Sequence, residues 1–354
     1  METRSLVILI SLLLTTGCAT TTRTASAPSE RVKAEEQFQR ELAVRTSYDL
    51  ETRLDSVGNN VLHAAVASCG DKIGSSIGMY SGSSFMYGKD KEAAEKVLAP
   101  FVDEYVRVNH VMPGLAGDKA GFKRGDIIVS VNGIDIPKGK DGPNAVAKAF
   151  GEVKSDSVYE IVHQRGDKKL RTTLRPRPKC GYTLVLGPGN EVNAYADGKR
   201  IIISRGMMMF TKDDLELSFV IAHELAHNVM KHIDAKATNY IAGSVLDVIV
   251  STGTGVGTQG TFGKMGAQAF SQDFEREADY VGLYILANAG MDTEKASAFW
   301  RRMAALNPGS IGSNHAATHP ATPERFVAME ETIREIREKQ KKGRLLKPEL
   351  KSTP

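Results

Sequence analysis

The sequence predicts an α+β fold in which a mostly helical domain with a short β-hairpin carries an inserted β-rich domain. Residues 30–67 alternate charged and apolar side chains at helical spacing. The segment between Cys69 and Cys180 is dense in short β-type runs and turn residues, and the chain after Gly181 returns to a hairpin and helices. A length of 354 residues allows about two domains.

The bulk composition is that of an ordinary globular protein, with 41% hydrophobic and 25% charged residues. The net charge of +4 is too small to predict a nucleic-acid partner, and no basic patch is interleaved with aromatic residues. A basic run at 334–351 is interrupted by glutamates. It predicts a solvated helix end with a basic tail at 343–354, and contact with anionic lipid headgroups is the alternative.

The N-terminus indicates the compartment. Arg4 precedes an apolar run at 6–14, which is too short to span a bilayer and is typical of a signal peptide. The run ends at Thr15-Thr16-Gly17-Cys18, which resembles a bacterial lipobox. This resemblance implies a signal peptide at 1–18, a lipid anchor on Cys18 and a location in the bacterial envelope. Ala19 then implies the periplasmic face of the outer membrane, and a signal peptide without lipid is the alternative.

Residues 19–30 predict a flexible tether, and 31–70 a long amphipathic helix that packs on the main domain. Its apolar stripe contains Leu50, Leu54, Val57, Val61 and Leu62.

Cys69 and Cys180 form an even pair in an oxidising compartment. A disulfide between them would close a loop of roughly 110 residues and stabilise the fold by up to ~4–5 kcal/mol. Two separate buried thiols are the alternative.

The inserted segment contains the pattern A-G-F-x-x-G-D-I-I-x-x-V-N-G at 120–133, with a short helix, a strand at 127–131 and a tight turn at Asn132-Gly133. This pattern resembles the PDZ domains of HtrA-type and site-2-type proteases. The resemblance implies a PDZ-like domain at 71–178, whose groove loop at 76–79 binds a peptide C-terminus by strand addition. A structural β-domain without a ligand is the alternative.

The main domain, at 179–342, begins with a hairpin at 192–206 that turns at Asp197-Gly198. Thr211 is the predicted N-cap, with Asp214 as its capping-box partner, of a helix that extends to about Ile233.

This helix contains His223-Glu224-Leu225-Ala226-His227, which is the pattern H-E-x-x-H. Histidines four residues apart lie on one helix face, so both imidazoles can bind one Zn²⁺ at ~2.0–2.1 Å. Glu224 lies beside them, where a carboxylate can act as the general base. Because the flanking residues are apolar, the helix is predicted to be buried, and two buried histidines require polar partners.

A catalytic zinc site needs a third protein ligand. Phe274-Glu275-Arg276-Glu277-Ala278-Asp279 provides two candidates, because Glu275 and Glu277 flank an apolar stripe on opposite sides. The helical period does not choose between them.

H-E-L-A-H followed by E-x-E-A-D resembles the HtpX-type and CAAX-prenyl-endopeptidase family of gluzincins, and most closely its periplasmic BepA- and LoiP-type lipoproteins. The resemblance implies a zinc ligand at Glu275, an acid at Asp279 that orients a ligand histidine, and a surface or hairpin contact for Glu277. It also implies a substrate-binding edge strand, for which an ordinary edge strand is the alternative, and an active-site H-P-x-x-x-x-R motif. The corresponding residues are Asn193, Ala194, Tyr195 and Ala196 for the strand, and His319 and Arg325 for the motif.

Two further patterns have weaker implications. Residues 255–260 match G-x-G-x-x-G, but they lie between the two ligand helices with no room for a βαβ unit, so a dinucleotide site is rejected. The apolar stretch at 240–250 and this glycine-rich tail predict a helix and a mobile lid. His315 fits no pattern and is interpreted as a loop residue.

Together these features predict a zinc-dependent endopeptidase with one zinc ion per chain, acting on unfolded or extended polypeptides of the envelope. The alternative is a PDZ-type binding protein or chaperone-like adaptor with a latent zinc site. The intact Glu224 argues against that alternative, because a scaffold does not need a general base.

Overall fold

The computed structural model describes residues 22, 25–151, 153–235, 237–238, 271–306, 319, 322–349 and 351. The predicted signal peptide with Cys18, the predicted lid at 240–260 and His315 lie outside the described residues. No helix within these ranges is long and apolar enough to span a membrane.

The helices described are numbered here in chain order. They are α1 (Ser29–Ala64), α2 (Lys91–Val97), α3 (Ala116–Lys119), α4 (Gly142–Phe150), α5 (Arg205–Phe210), α6 (Asp214–Val229), α7 (Ser271–Asn288), α8 (Ala296–Ala304) and α9 (Pro323–Lys341). The strands are β1 (Ile73–Ser76), β2 (Met79–Gly82), β3 (Arg107–Val111), β4 (Ile127–Val131), β5 (Ile134–Asp135), β6 (Tyr159–Arg165), β7 (Lys168–Leu174), β8 (Arg177–Cys180), β9 (Thr183–Gly187), β10 (Ala194–Ala196) and β11 (Arg200–Ser204).

Helix α1 packs on the main domain through the C-terminal part of its apolar stripe. Leu54, Val57, Val61 and Leu62 are buried in the same core as the helices that follow the insertion. Arg53 also joins α1 to the start of α6, because its Nε is 2.9 Å from Asp214 Oδ1. The N-terminal helix is therefore an integral part of the main domain.

The inserted domain is built on an antiparallel sheet with the strand order β2-β3-β4-β6-β7, and β5 pairs with β4. The turn between β4 and β5 places Asn132 and Gly133 at φ of 50° and 79°. These positive φ angles are those of a type I′ turn, which favours Asn-Gly. A separate core forms under the sheet around buried Phe122 and Ile161.

The two segments that connect the inserted domain to the main domain lie side by side and are linked to each other. Strand β1 pairs antiparallel with β8, and Ile73 lies opposite Cys180. Cys69 and Cys180 form a disulfide with a Cα–Cα distance of 5.7 Å, and both cysteines are buried in the main core. The inserted domain therefore leaves and re-enters the main domain at one point.

The main domain places a three-stranded sheet against the helices. Its order is β10-β11-β9, with β9 parallel and β10 antiparallel to β11. The hairpin turns at Asp197-Gly198 as predicted, and Gly198 has a φ of 86°. Helices α6 and α7 pack against each other next to this sheet, which places β10 at its edge and close to α6.

The start of α6 differs from the prediction. The N-cap is Asp213, not Thr211, because the Asp213 carboxylate accepts a hydrogen bond from the Glu216 backbone N–H. Glu216 in turn accepts one from the Lys212 backbone N–H, so Asp213 and Glu216 form a capping-box-like pair. Thr211 instead ends the short helix α5, and its hydroxyl donates to the Met208 carbonyl. The helix also ends at Val229, before the predicted Ile233.

Candidate metal centre

Helix α6 brings three polar side chains of the H-E-x-x-H pattern into the interior. His223, Glu224 and His227 are each 2% exposed. Their helical neighbours Val220, Ile221 and Leu225 are fully buried in the main core, as their apolar character predicts. Because isolated buried polar groups are costly, these three residues require partners inside the protein or a bound ion.

Helix α7 supplies the third ligand candidate, and the structure distinguishes between the two glutamates. Glu275 is fully buried, and its two carboxylate oxygens are each 3.3 Å from one histidine Nε2, Oε2 from His223 and Oε1 from His227. The two Nε2 atoms are 3.2 Å apart. Ligands at ~2.0–2.1 Å from a tetrahedral zinc are about 3.3 Å apart. The three side chains therefore fit one zinc ion without rearrangement.

The close approach of α7 to α6 depends on Gly282. A Cβ atom at this position would lie 3.2 Å from the Ala222 carbonyl oxygen and 3.3 Å from the His223 nitrogen. Both neighbouring atoms are backbone, so a side chain would push the two ligand-bearing helices apart. The glycine thus allows the close helix packing that brings His223 and Glu275 together.

Two residues hold the ligands from behind. Asp279 Oδ1 is 2.9 Å from His223 Nδ1, so His223 presents its Nε2 to the cluster. Arg325 is buried, and its Nε and Nη2 donate to the two Asp279 oxygens at 2.8 and 2.9 Å. Its Nη1 is 3.2 Å from Glu275 Oε2. Arg325 therefore orients two carboxylates of the centre.

The buried carboxylates and histidines of the cluster shift one another's pKa values. Burial disfavours the charged form of His223, but Asp279 and Glu275 outweigh it and raise the pKa of His223 to about 10. Burial lowers the pKa of His227 to about 4. Burial also opposes ionisation of Glu275, but His319 and the two ligand histidines hold the pKa of Glu275 well below its usual range. Without an ion, a proton on His223 balances the buried carboxylates, and a cation bound at His223 Nε2 would take the place of that proton.

Glu224 is placed to act on a reacting molecule. Its Oε2 is buried and has no hydrogen-bond partner in the described part of the chain. Its Oε1 is 3.5 Å from His319 Nε2. A buried carboxylate oxygen without a donor is costly unless a ligand supplies one. This orphaned oxygen is the acceptor that a general base requires.

His319 joins the cluster as a fourth donor. Its Nδ1 is 2.9 Å from Glu275 Oε2 and 3.4 Å from His223 Nε2. With His223, His227 and Glu275 it forms a group whose ligand atoms lie within 4.8 Å of one another. Thr318 and Pro320 of the same motif lie outside the described residues. The structure thus places His319 at the candidate metal centre, next to the other three candidate ligands.

Glu277 points away from the three ligands and contacts a residue that the sequence analysis did not single out. Its Oε2 is 2.9 Å from Nε2 of His232, whose Nδ1 is 3.0 Å from His227 Nδ1. His232 follows the end of α6 and is 1% exposed. The signal that could have found it is a third histidine five residues after His227.

The predicted substrate strand lies at the edge of the main sheet. In β10, Ala194 and Ala196 are buried, whereas Tyr195 between them is 49% exposed. Asn193 precedes the strand, and its backbone carbonyl accepts from the Ser204 N–H. The two alanines therefore pack against the main domain, and Tyr195 faces the solvent.

Known families match both domains. The model of Peptidase family M48 matches residues 159–333, and the model of the PDZ domain matches residues 107–149. The chain is similar to mitochondrial metalloendopeptidase OMA1 of Schizosaccharomyces pombe, with 30% identity over 149 residues, or 40% of this chain and 43% of that protein.

Two further relatives agree with these matches. OMA1 of Arabidopsis thaliana is 29% identical over 38% of this chain and 28% of its own length. The beta-barrel assembly-enhancing protease of Yersinia pestis is 28% identical over 42% of this chain and 33% of its own length. The chain thus matches less than half the length of each of these relatives. The M48 match at residues 159–333 contains every residue of the metal centre described above. The chain is therefore similar to peptidase family M48 over the region of the metal centre, and to the PDZ domain over residues 107–149.

Proposed function

We propose that the protein is a zinc-dependent endopeptidase that hydrolyses peptide bonds of envelope proteins, in quality control or processing. The observation that carries this proposal is the convergence of His223, His227 and Glu275 at tetrahedral spacing beside a buried, unpaired carboxylate oxygen of Glu224. A pure binding protein has no use for that oxygen. One zinc ion per chain follows from one such cluster among the described residues.

The roles of the protein groups follow from their positions. His223, His227 and Glu275 would hold the zinc ion, which when bound would supply Lewis-acid chemistry to a peptide carbonyl and a water molecule. Glu224 accepts the proton of the attacking water and delivers it to the leaving amine. Arg325 and Asp279 hold Glu275 and His223 in place through charged hydrogen bonds. They are positioning residues in this scheme.

The substrate would bind as an extended chain. Residues 193–196 form the edge of a sheet next to α6, so a peptide can add to β10 and pass over the metal centre. This geometry favours unfolded or extended polypeptides, because a folded substrate has few unpaired strands to offer. The exposed Tyr195 would contact the bound chain.

The PDZ domain would bind a second part of a substrate, or a partner. Strand β2 is the terminal strand of its sheet, and α4 packs beside it. In this arrangement a peptide C-terminus can lie between β2 and α4, with its carboxylate at the loop 76–79. Such binding would raise the local concentration of a substrate near the metal centre.

A lipid anchor at Cys18 would hold the protein on the periplasmic face of the outer membrane. The support for it is the signal-peptide-like run at 6–14 followed by the lipobox-like tetrapeptide. In a bacterial host, Cys18→Ser should move the protein from the membrane fraction to the soluble periplasmic fraction. Unchanged fractionation would rule out Cys18 as the anchor.

The activity is tested by metal analysis and digestion of a denatured protein such as casein. The purified full chain should contain about one zinc per molecule and cleave casein until a chelator is added. Glu224→Gln should retain zinc and lose cleavage, because it removes the base without removing a ligand. His227→Ala should lose both. Zinc-loaded wild type that cleaves no polypeptide, while still binding peptides, would establish the adaptor function instead.

A further inference from the structure

His227 and His232 form an imidazole pair directly behind the metal ligands. The two Nδ1 atoms are 3.0 Å apart, and both rings are almost completely buried. The rings meet nearly edge to face, with an interplanar angle of 76°. Two imidazole nitrogens at this distance share one hydrogen, so one ring donates and the other accepts.

The metal centre determines which ring donates. His227 turns its Nε2 toward Glu275 and His223, so its lone pair for a metal is at Nε2 and its hydrogen is at Nδ1. His232 must then accept at Nδ1, which leaves its own hydrogen at Nε2. That Nε2 is 2.9 Å from Glu277 Oε2, a hydrogen-bond acceptor.

The position of each imidazole N–H hydrogen in this series of contacts is therefore defined. Glu277 accepts from His232, His232 accepts from His227, and His227 offers Nε2 to the ion. Both histidines are neutral in this arrangement, and every ring nitrogen has a partner. Phe274 stacks on His232 at 4.5 Å between ring centroids and an angle of 17°, which fixes the plane of the accepting ring.

The two ligand histidines thus have different supports. His223 is held by the carboxylate of Asp279, itself paired with Arg325. Among the residues that the structure describes, the partner of His227 Nδ1 is an imidazole and not a carboxylate. Glu277, which is 45% exposed in its side chain, then connects this buried histidine to the surface.

We propose that His232, held by Glu277, is a positioning residue for the metal ligand His227 and raises the affinity of the centre for zinc. The inference rests on the proposed function only in taking zinc as the ion. It requires that His232 acts through its acceptor at Nδ1, not merely through its volume in the core.

The test separates the acceptor from the volume. His232→Asn keeps a hydrogen-bond acceptor at the δ position, whereas His232→Leu has nearly the same shape as Asn without that acceptor. Zinc affinity of the full chain is measured by competition with a chelating dye, and the metal-free proteins are compared by circular dichroism and thermal unfolding. Because outer partners of metal ligands typically change affinity by 10–100-fold, Leu should lower zinc affinity by about that factor relative to Asn.

Two controls are built into the chain. His163 is another buried histidine, on β6 of the inserted domain, where it pairs with Asp126 at 3.1 Å and its ring is tilted against Phe122. The same Asn and Leu substitutions there should leave zinc affinity unchanged, whatever they do to stability. Glu277→Ala leaves the buried residues intact, so it should lower zinc affinity less than His232→Leu does. Glu277→Gln can still accept a hydrogen bond from His232, so it should lower zinc affinity less than Glu277→Ala does.

The outcomes distinguish this inference from the proposed activity. Equal zinc affinity for His232→Asn and His232→Leu, or no change in Glu277→Ala, would overturn the role of His232. If His232→Leu does not fold, the Glu277 series alone decides in the same way. A wild type that binds zinc but cleaves nothing would contradict the peptidase activity and leave the affinity differences, and this inference, in place.

Discussion

His319 lies close to both a candidate metal ligand and the candidate general base. Its Nδ1 lies beside the ligand Glu275, and its Nε2 is 3.5 Å from the general base candidate Glu224. One imidazole can therefore occupy the remaining coordination position of a zinc ion, or it can swing away and stabilise the oxyanion of a reacting peptide. Its position among the ligands favours the first role, which is that of a gate.

The two roles predict opposite effects of His319→Ala. If the residue is a gate, the variant should cleave casein faster than wild type and show more self-cleavage, because the position is permanently open. If it is an oxyanion donor, kcat should fall by ~10²-fold with zinc still bound. The measurement is steady-state kinetics with zinc analysis of the same samples. Wild-type rates on several substrates would show that His319 has neither role.

At the residue scale, the helical period reached two candidate ligands, and the family resemblance added Glu275 and the supporting Asp279, but neither pointed to His232. H-E-x-x-H fixes two histidines and a glutamate on one helix turn, because local helical geometry alone brings them together. The choice between Glu275 and Glu277 depends on how α7 is rotated against α6, which the helical period does not specify. His232 was missed because its spacing of five residues from His227 does not by itself predict the contact between the two rings in the folded chain.

At the scale of elements, the two segments that connect the domains determine how firmly the PDZ domain is attached to the main domain. Strands β1 and β8 pair over four residues on each side, and the disulfide links the same two segments. Both cysteines also pack in the main core. The two segments therefore form a fixed base for the inserted domain, from residues that lie far apart in sequence.

Removal of this disulfide should destabilise the main domain. The bond spans a sequence separation of 111 residues, for which the chain-entropy model gives up to ~4–5 kcal/mol. The double variant Cys69→Ala, Cys180→Ala should have a lower free energy of unfolding in denaturant titration, with zinc loading held constant. Mass spectrometry of non-reduced periplasmic material should find the two peptides linked. Two free thiols in that material would contradict the pairing.

Secondary structure was predictable where local chemistry decides it, and less so where neighbours compete. The Asn132-Gly133 and Asp197-Gly198 turns follow from glycine at positive φ. The cap of α6 was wrong because Thr211 and Asp213 are both good N-caps, and α5 uses Thr211 for its own end. Which cap prevails depends on the packing of the short helix before it.

At the scale of the whole molecule, α1 connects the PDZ domain to the metal-bearing domain. Its C-terminal half lies in the main core, and its middle contacts the PDZ sheet. Tyr48 donates to the Asn109 carbonyl at 2.7 Å, and Ser56 Oγ is 2.7 Å from His110 Nε2. These contacts surround a cleft of about 450 Å³ between α1 and the sheet. The sequence predicted both domains but not this contact, because its polar residues have no helical or strand period.

The titration of Asp55 should make this interface sensitive to pH. Asp55 lies on α1 and contacts Tyr80 of the PDZ sheet. Burial raises the pKa of Asp55 from 3.8 to about 7, and nearby Glu51 adds to the increase, whereas the hydrogen bond from Tyr80 and the charge of Lys179 oppose it. The folded state thus favours the protonated carboxyl. Its contribution to stability is complete below about pH 4 and is lost as the pH rises through about 7. The interface should be weaker at pH 8 than at pH 5 on account of this residue.

Asp55→Asn tests this directly, because asparagine keeps the shape of the protonated acid and does not titrate. We expect the Tm of the variant minus that of wild type to increase from pH 5 to pH 8, by about 2–4 °C for each kcal/mol of relief. Asp49→Asn, an exposed position on the same helix, is the matched control and should show no such trend. The other groups around the cleft, including His110, contribute equally to both proteins and cancel in the difference. A difference in Tm that is constant across this range would mean that Asp55 is ionised in the folded protein at pH 5, and that the contact with Tyr80 does not depend on its protonation.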